Sequence, residues 1–520
     1  MRPVFTGAEV RSAEQPLLDA GLGPELMRRA AHGLAQHVIE VLKGTVSAGQ
    51  LAESRDRRGR RRPHAARIYG ARVAAYVGTG NNGGDALYAL ATLRRRGVHC
   101  VALLTGERCH AAGLAALRSA GGRALSISDP EAPAVLERAD VVIDAMLGTG
   151  SRVTDEPRPI ELIAPAEHVH IVACDLPSGV DAATGRAEPG ALRADSTVTF
   201  GAVKCGLVMG EGRQLAGEVR VVDIGLRPYL PEARVQHVEV HTAACSDSAP
   251  PWNAHKYSRG VVGLIAGSEQ YPGAAVLTAR SAVNAGIGML VACPPEGAST
   301  VRQLLLGALP EVVVSEHADD GVRERISAWV LGPGVGEDQR LRDAVVQVLD
   351  SGAPAVLDAS GLAYTGPGAA AGPLLLTPHA GELTALLTRC GEHVTAADVA
   401  KDPLRWTRRA AEAYGAVVLL KGPETVIASP AGHCRVVTGA PSTLATAGSG
   451  DVLAGLAGAE MARDRELVNG PGTATDERVA GRLMAAAVTA TVRHARAGLA
   501  LGAHGFAASG LAAALGAPSA

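Results

Sequence analysis

Paired cysteines, aromatic residues, an excess of one charge and long apolar runs are all scarce in this 520-residue chain, and each scarcity removes a class of protein. The eight cysteines, at positions 100, 109, 174, 205, 245, 293, 390 and 434, form no CxxC or paired spacing. A disulfide scaffold or a zinc ribbon is therefore not expected, and reduced thiols are. Aromatic residues make up only 3% of the sequence, so its cores must be filled by Ala, Val and Leu. The formal net charge of -2 provides no global positive field, and no nucleic-acid partner is expected. No segment approaches the ~18 uninterrupted apolar residues of a membrane span. The opening MRPVFTGAEVRSAEQ contains no apolar h-region, so the expectation is a soluble, cytoplasmic protein without a membrane partner.

What is abundant is glycine, 63 residues, within an ordinary balance of 47% apolar and 20% charged residues. That mixture suits an α/β enzyme whose turns need positive φ or close backbone approach. The length is too great for one core and suits two domains. Leu17, Leu18, Leu26, Met27, Leu34, Val38 and Leu42 recur at near-helical spacing over 8–43. The arginine-rich stretch Arg55 to Arg62 reads as a solvated loop or insertion, with a patch for an anionic partner as the alternative. From Val73 onward, short apolar strands (73–78, 98–104, 141–147, 170–176, 196–202, 219–225) alternate with helices such as 86–97. Such runs predict a parallel sheet covered on both faces, a Rossmann-like doubly wound domain over 1–228. Prolines 228, 231, 250 and 251 surround a polar stretch, read as a linker over 229–255. A second α/β series over 256–520 has strands at 260–267, 288–294, 328–334, 354–360, 374–382 and 416–422, then helices 449–463 and 478–498.

Polar residues collect at the strand ends. Gly78 to Asp85 (GTGNNGGD) lies between a strand and a helix and reads as GxGxxG, a weak dinucleotide signal. The acidic residue that should hold a ribose at the end of the next strand is missing. Asp144 leads into MLGTG, and Asp175 leads into LPSGVD. A lone strand-end carboxylate is usually a cap or turn residue. Three Gly-rich turns at the ends of one sheet could instead converge, and their hard oxygen ligands would suit an alkali or alkaline-earth cation.

These motifs together resemble the NAD(P)H-hydrate epimerase family. NNGGD (81–85), DAMLGTG (144–150) and DLPSGVDAATG (175–185) carry the resemblance, which spans about 8–225. It implies potassium held by Asn82, Asp144 and Ser178. It implies a hydrated cofactor, NADHX or NADPHX, surrounded by Asn81, Asn82, Gly83, Gly84 and Asp85 and by Gly148, Thr149, Gly150, Ser151, Arg152, Val153 and Thr154. Asp175 would be the acid/base at the nicotinamide C6, with Lys204 as a helper. Ala86 stands where the family commonly has Gly, and Cys205 where Pro is common.

In the second half, TAGSGD (446–451) precedes an Ala-rich helix. Successive N–H groups at a helix N-terminus form an anion hole, and Asp451 could deprotonate a hydroxyl attacking phosphorus. The alternative is an N-cap turn with an acidic first turn. Gly332-Pro333-Gly334, Thr377 to Glu382 (TPHAGE) and Lys421-Gly422 also end strands; His379 and Glu382 alone would read as structural or capping residues. This set is similar to the ribokinase-like fold and, more narrowly, to the ADP-dependent NAD(P)H-hydrate dehydratase family, from about Lys256 to the final helices. The resemblance implies Gly334, His379, Glu382 and Asp451 around the hydrated cofactor. Lys421, Gly422, Pro423, Glu424 and Thr425, with Thr446, Ala447, Gly448, Ser449 and Gly450, would hold ADP. ADP would be the phosphoryl donor, Mg²⁺ would bridge its diphosphate, and the assembly would be a homo-oligomer. Departures are Val335, where Leu is usual, and Ser360 in DASGL, where Asp is usual.

Together the two resemblances describe a repair unit that epimerises a hydrated cofactor and dehydrates one epimer. Three other readings compete with it: a vitamin-type kinase with an auxiliary nucleotide-binding domain, a non-enzymatic sensor, and an NAD-dependent dehydrogenase. The first would accumulate a phosphorylated product and regenerate no NADH.

Overall fold

Runs of Val, Ala and Leu with no polar interruption cannot leave one face in water, and in the computed structural model they become central strands. The model describes residues 1–44, 67–150, 153, 162–244, 250–295, 297–315, 324–470 and 472–516. Arg55 to Arg62 lie outside the described residues, as do Ser151, Arg152 and Thr154. Contacts divide the chain into one unit of Pro3–Ala233 and another of Arg234–Ala520 with Met1–Arg2. None of the seven described cysteines is disulfide-bonded. No described helix is long and apolar enough to cross a membrane.

The N-terminal unit begins with helices α1 (Gly7–Asp19) and α2 (Gly23–Leu42). Its seven-stranded sheet is built from β1 (Arg72–Val77), β2 (His99–Leu104), β3 (Arg123–Ser126), β4 (Val141–Ala145), β5 (His170–Cys174), β6 (Ser196–Phe200) and β7 (Glu218–Val222). Their order is β3-β2-β1-β4-β5-β6-β7, and every pairing is parallel. The chain moves outward from β1 to β3 and then returns to β4 on the other side of β1. That reversal opens a crevice beyond the carboxyl ends of β1 and β4, the position where doubly wound sheets bind ligands.

One expectation needs correction here. The helix after β1, α3, spans Asn81–Arg95 rather than starting at residue 86. Asn81 to Asp85 are thus its first turns and not a loop before it, and Gly83, Gly84 and Asp85 are buried. Two adjacent glycines weaken helix propensity, which hides this start from sequence reading. Here they serve close packing instead: a Cβ on Gly84 would lie 3.0 Å from Met27 Cε of α2.

In the C-terminal unit, ten strands run from β8 (Val235–Glu239) to β17 (Cys434–Thr438). Between them lie β9 (Val261–Ile265), β10 (Met289–Ala292), β11 (Val313–Val314), β12 (Ala328–Leu331), β13 (Ala355–Leu357), β14 (Leu374–Leu376), β15 (Val417–Leu420) and β16 (Thr425–Ala428). Their order is β8-β17-β16-β15-β14-β13-β12-β9-β10-β11. Strands β15 through β11 are mutually parallel, and β16 runs antiparallel to both of its neighbours. The stretch read as a linker over 229–255 therefore contains a strand, β8, paired in parallel with β17. Its sequence, VQHVE, buries Val235, His237 and Val238, whereas flanking prolines make the segment read as a connector.

Helix α4 (Pro272–Asn284) packs against α5 (Ser449–Arg463), the helix that begins with the GSGD motif. The approach is close because α5 presents glycine. A Cβ at Gly455 would fall 2.2 Å from the Thr278 carbonyl oxygen and 2.3 Å from Ser281 Oγ. Ser281 Oγ also donates to the Val452 carbonyl at 2.7 Å. Gly455→Val is therefore expected to lower stability by roughly 1–3 kcal/mol, or more, through overpacking. Denaturant unfolding of the variant should show an earlier midpoint; an unchanged curve would mean that this contact is not tight in solution.

Candidate active sites

At the end of β4, Asp144 is fully buried. Its oxygens accept from Ser178, Oγ at 2.5 Å and N at 2.8 Å. Ser178 Oγ accepts in turn from Leu147 N at 3.0 Å. Asn82, in the first turn of α3, donates Nδ2 to the carbonyls of Cys174 (2.8 Å) and Leu147 (3.0 Å). Three chain segments are thus tied together through Asn82, Asp144 and Ser178. Gly148 is needed where it lies, since a Cβ there would stand 2.4 Å from Asn82 Nδ2. Burial pushes the Asp144 carboxyl up, and bonds from Ser178 pull it back. Among the described residues no cationic side chain bonds Asp144.

Beyond β5, Asp175 sits at φ 68°, in the left-handed region that a non-glycine residue occupies only when its surroundings hold it there. What holds it is Lys204, 1% exposed, whose Nζ donates to Asp175 Oδ1 at 2.5 Å. Lys204 Nζ also donates to Thr199 Oγ1 (3.0 Å) and to the Phe200 carbonyl (2.9 Å). Thr199 Oγ1 (3.1 Å) and Phe200 N (3.3 Å) complete the bonds to the same carboxylate oxygen. Asp85 lies buried nearby with Oδ1 unpartnered. Burial raises its carboxyl well above the usual range, and the charges of Asp175 and Glu14 add to the effect. Glu14 itself, on α1, is raised by burial against the opposing pull of Lys204. Arg11, on the same helix, donates to the Thr149 carbonyl of the Gly148–Gly150 turn.

The C-terminal unit has a second Lys–Asp pair, in which the aspartate is buried and the lysine partly so. Asp358 follows β13, and its Oδ1 accepts from Lys421 Nζ at 2.6 Å and from Thr377 Oγ1 at 2.8 Å. Glu382 Oε2 is 3.7 Å from the same Nζ. Burial alone would lower the Lys421 ammonium; Asp358, Glu382 and Asp451 outweigh it, so the group is raised. Lys421 N donates to the Pro378 carbonyl at 2.8 Å, which brings LLKG beside TPHAGE. His379 caps the helix Ala380–Arg389, accepting at Nδ1 from Gly381 N (3.0 Å) and Glu382 N (3.3 Å). Glu382 closes the capping box on His379 N at 2.8 Å.

Asp451 lies in the first turn of α5, after Gly448 at φ 86°. A Cβ at Gly448 would also lie 2.5 Å from Leu277 Cδ1, so the turn needs glycine on both counts. Burial raises the Asp451 carboxyl to about 6, with Asp358 raising it further and Lys421 opposing. A Cβ built on Gly450 would be 3.6 Å from Lys421 Nζ, so the GSGD turn and Lys421 face one another. Ser449 is tied to the buried His494, whose Nε2 lies 3.0 Å from its carbonyl and 3.2 Å from its hydroxyl. Burial depresses His494 to about 4, so it is neutral at neutral pH.

Comparison with known proteins fits both halves. Residues 262–515 match the NAD(P)H-hydrate dehydratase family, and residues 23–206 match the YjeF-related protein N-terminus. A bifunctional NAD(P)H-hydrate repair enzyme of Mycobacterium tuberculosis is 37% identical over 475 residues, covering 89% of each chain. The chain belongs to the bifunctional NAD(P)H-hydrate repair enzyme family. A relative so named from Corynebacterium glutamicum is 31% identical over 542 residues, covering 90% of this chain and 88% of its own. A Bacillus subtilis ADP/ATP-dependent NAD(P)H-hydrate dehydratase, solved with ATP and Mg²⁺, is 28% identical, with a TM-score of 0.44, over 53% of this chain and 93% of its own.

In this member of the repair enzyme family each cluster gathers beyond the carboxyl ends of its unit's strands. Asn82, Asp144 and Ser178 are brought together, as are Asp175 and Lys204, and Lys421, Glu382 and Asp451. His379 is 61% exposed at its side chain and touches Glu382, while Gly334 accepts from Ser268 Oγ at 2.8 Å. Sequence reading missed Asp358, Glu14 and Arg11. Asp358 carries the same signal as Asp144 and Asp175, a carboxylate ending an apolar strand. Attention to Ser360 obscured it, and Ser360 instead donates to the Gly332 carbonyl at 2.8 Å. Glu14 carries no motif and is found only by where α1 packs.

Proposed function

We propose that the chain repairs hydrated NADH and NADPH in two steps, one in each unit. The N-terminal unit interconverts the R and S hydrates. The C-terminal unit dehydrates the S form at the expense of ADP. The observation that carries this reading is the pair of Lys–Asp centres at strand ends, Lys204–Asp175 and Lys421–Asp358, the second beside a raised carboxyl at a helix N-terminus.

In the first step Asp175 exchanges a proton with the C6 hydroxyl as the ring carbon loses and regains it on the other face. Lys204 holds the carboxylate through Oδ1, which leaves Oδ2 free for substrate. Asn81 to Asp85 and Gly148 to Gly150 would frame the nicotinamide. The side-chain oxygens of Asn82, Asp144 and Ser178, around a buried carboxylate that no described cation bonds, fit K⁺, which would neutralise that charge and order the three segments.

In the second step Asp451 removes the C6 hydroxyl proton, and the oxygen attacks the terminal phosphorus of ADP, releasing AMP. The phosphate ester then leaves as the ring nitrogen pushes its electron pair toward C6, and loss of the C5 proton restores the double bond. Lys421 to Thr425 and Thr446 to Gly450 would hold ADP, while Gly334 and His379 would face the hydrate. Mg²⁺ on the diphosphate would supply charge neutralisation. The resemblance also implies a homo-oligomer in the cytoplasm, and sedimentation of the purified chain measures the first of these.

The direct experiment adds NADH hydrate and ADP to the purified chain and follows dihydronicotinamide absorbance together with AMP. Absorbance should return in step with AMP. Accumulation of a phosphorylated hydrate without NADH would favour a small-molecule kinase instead.

A pH dependence follows. Asp451 must be ionised to act as a base, and its carboxyl titrates near 6. Dehydration kcat/KM should therefore be constant above this value and fall about tenfold per pH unit below it. Asp358→Asn removes a negative neighbour that raises Asp451, so the acid limb should move to lower pH. An acid limb that stays in place would remove Asp358 from the electrostatics of the base.

A further inference from the structure

The C-terminal unit has a cavity of about 560 Å³ that the repair reaction does not use. It lies between helix Pro403–Tyr414 and the turn Pro430–Gly432 that joins β16 to β17. Thr425, in the segment assigned to ADP, begins β16, and the cavity turn follows the other end of that strand. The cavity is thus separated from the nucleotide segment by the length of β16, roughly 10 Å for three residue steps.

Its lining carries four guanidinium groups, Arg234, Arg405, Arg408 and Arg409, against two carboxylates, Glu392 and Glu412. Arg409 is neutralised, with Nε at 2.6 Å from Glu392 and Nη1 at 3.1 Å from Glu412. The other three have no carboxylate partner among the described residues. Arg408 Nε instead points to Cys434 Sγ at 3.1 Å, and Arg405 lies over the Trp406 ring at 4.6 Å from its centroid. Arg234 makes no side-chain bond to a described residue, and a Cβ built on Gly432 would stand 3.7 Å from its Nη1. Glu392 and Glu412 are both taken up by Arg409, so the cavity keeps a surplus of positive charge on Arg234, Arg405 and Arg408 that an anion would offset. Planar, multiply donating guanidinium groups match phosphate oxygens. Trp406 adds a flat apolar wall, and the volume lies in the range of small-molecule sites.

We propose that this cavity binds an organic phosphate, the phosphate on Arg234, Arg405 and Arg408 and the carbon skeleton against Trp406. The same chemistry could come from free phosphate, so the test carries both probes. Ribose 5-phosphate and inorganic phosphate are titrated by calorimetry into the full-length chain, and into Arg234→Ala/Arg405→Ala and Lys421→Ala variants. Ribose 5-phosphate should bind saturably, at least tenfold tighter than inorganic phosphate. Arg234→Ala/Arg405→Ala should weaken it at least tenfold without changing ADP-dependent dehydration, and Lys421→Ala should leave it unaffected. Equal binding by the double arginine variant overturns the proposal. So does loss of binding on Lys421→Ala, which would place the probe in the nucleotide segment. Equal affinity for the two probes overturns the organic class, and absence of saturable binding overturns the site.

Discussion

Asp451→Asn is expected to lower ADP-dependent dehydration by ~10²–10⁴-fold, the usual worth of a positioned general base. The loss should fall on kcat, because the segment proposed to hold ADP is unchanged and Lys421 remains beside it. Epimerisation should continue at its original rate, since Asp451 belongs to the other unit. The variant is also expected to be at least as stable as the parent at neutral pH. Asp451 is raised in the fold, so its contribution to stability is fully present below the ordinary carboxylate pKa and is lost as pH rises through about 6. Above that value the fold holds a charge that burial disfavours, and Asn removes it. Rates of R/S exchange and of NADH recovery, measured on one preparation with a melting curve, check all three points. Dehydration near the parental rate would remove Asp451 from the base role.

Asp175→Asn is expected to abolish epimerisation while dehydration of the S hydrate persists. Here stability has to be separated from chemistry, because the substitution strands a buried ammonium. Lys204 is 1% exposed and gives its shortest bond to Asp175, and breaking a buried pair from one side costs roughly 3–5 kcal/mol. The double variant Asp175→Asn/Lys204→Met removes both charges and should recover much of that loss. It should not recover epimerisation. If the double variant regains activity with stability, Asp175 served the fold and not the reaction. If the single variant epimerises at the parental rate, the acid/base belongs elsewhere, and Asp85, buried with an unpartnered oxygen, is the next group to replace.

The two units reuse one device for different ends. In each, an apolar strand delivers an aspartate to its carboxyl end, and a lysine from beyond a later strand is bonded to it. In the N-terminal unit the lysine fixes the proposed acid/base itself. In the C-terminal unit it fixes Asp358, and the carboxylate free to act is Asp451, raised by its neighbour. Burial on both sides makes the Lys204–Asp175 pair strong and intolerant of losing one member, whereas Lys421 keeps its side chain 21% exposed over a buried Asp358.

Much of this was legible in the sequence because it depended on local pattern. Apolar runs ending in Gly, Asp or Lys located most strands from Val73 to Leu420 and the residues at their ends, but not Arg123–Ser126, Val235–Glu239 or Val313–Val314. NNGGD, DLPSGVD, TPHAGE and GSGD are short because each serves one turn, and a turn's backbone demands are written within a few residues. What only the tertiary structure decided involves partners far apart in sequence. The strands Val235–Glu239 and Cys434–Thr438 pair across nearly two hundred positions, and no periodicity in either announces the other. Lys204 and Asp175, Asp358 and Lys421, and Glu14 beside the first of these pairs meet only when the sheet orders are fixed. The raised Asp451 carboxyl is likewise a property of burial and neighbouring charge. Sequence could name the residues at the strand ends, but which of them share a charge is set by which strands lie side by side.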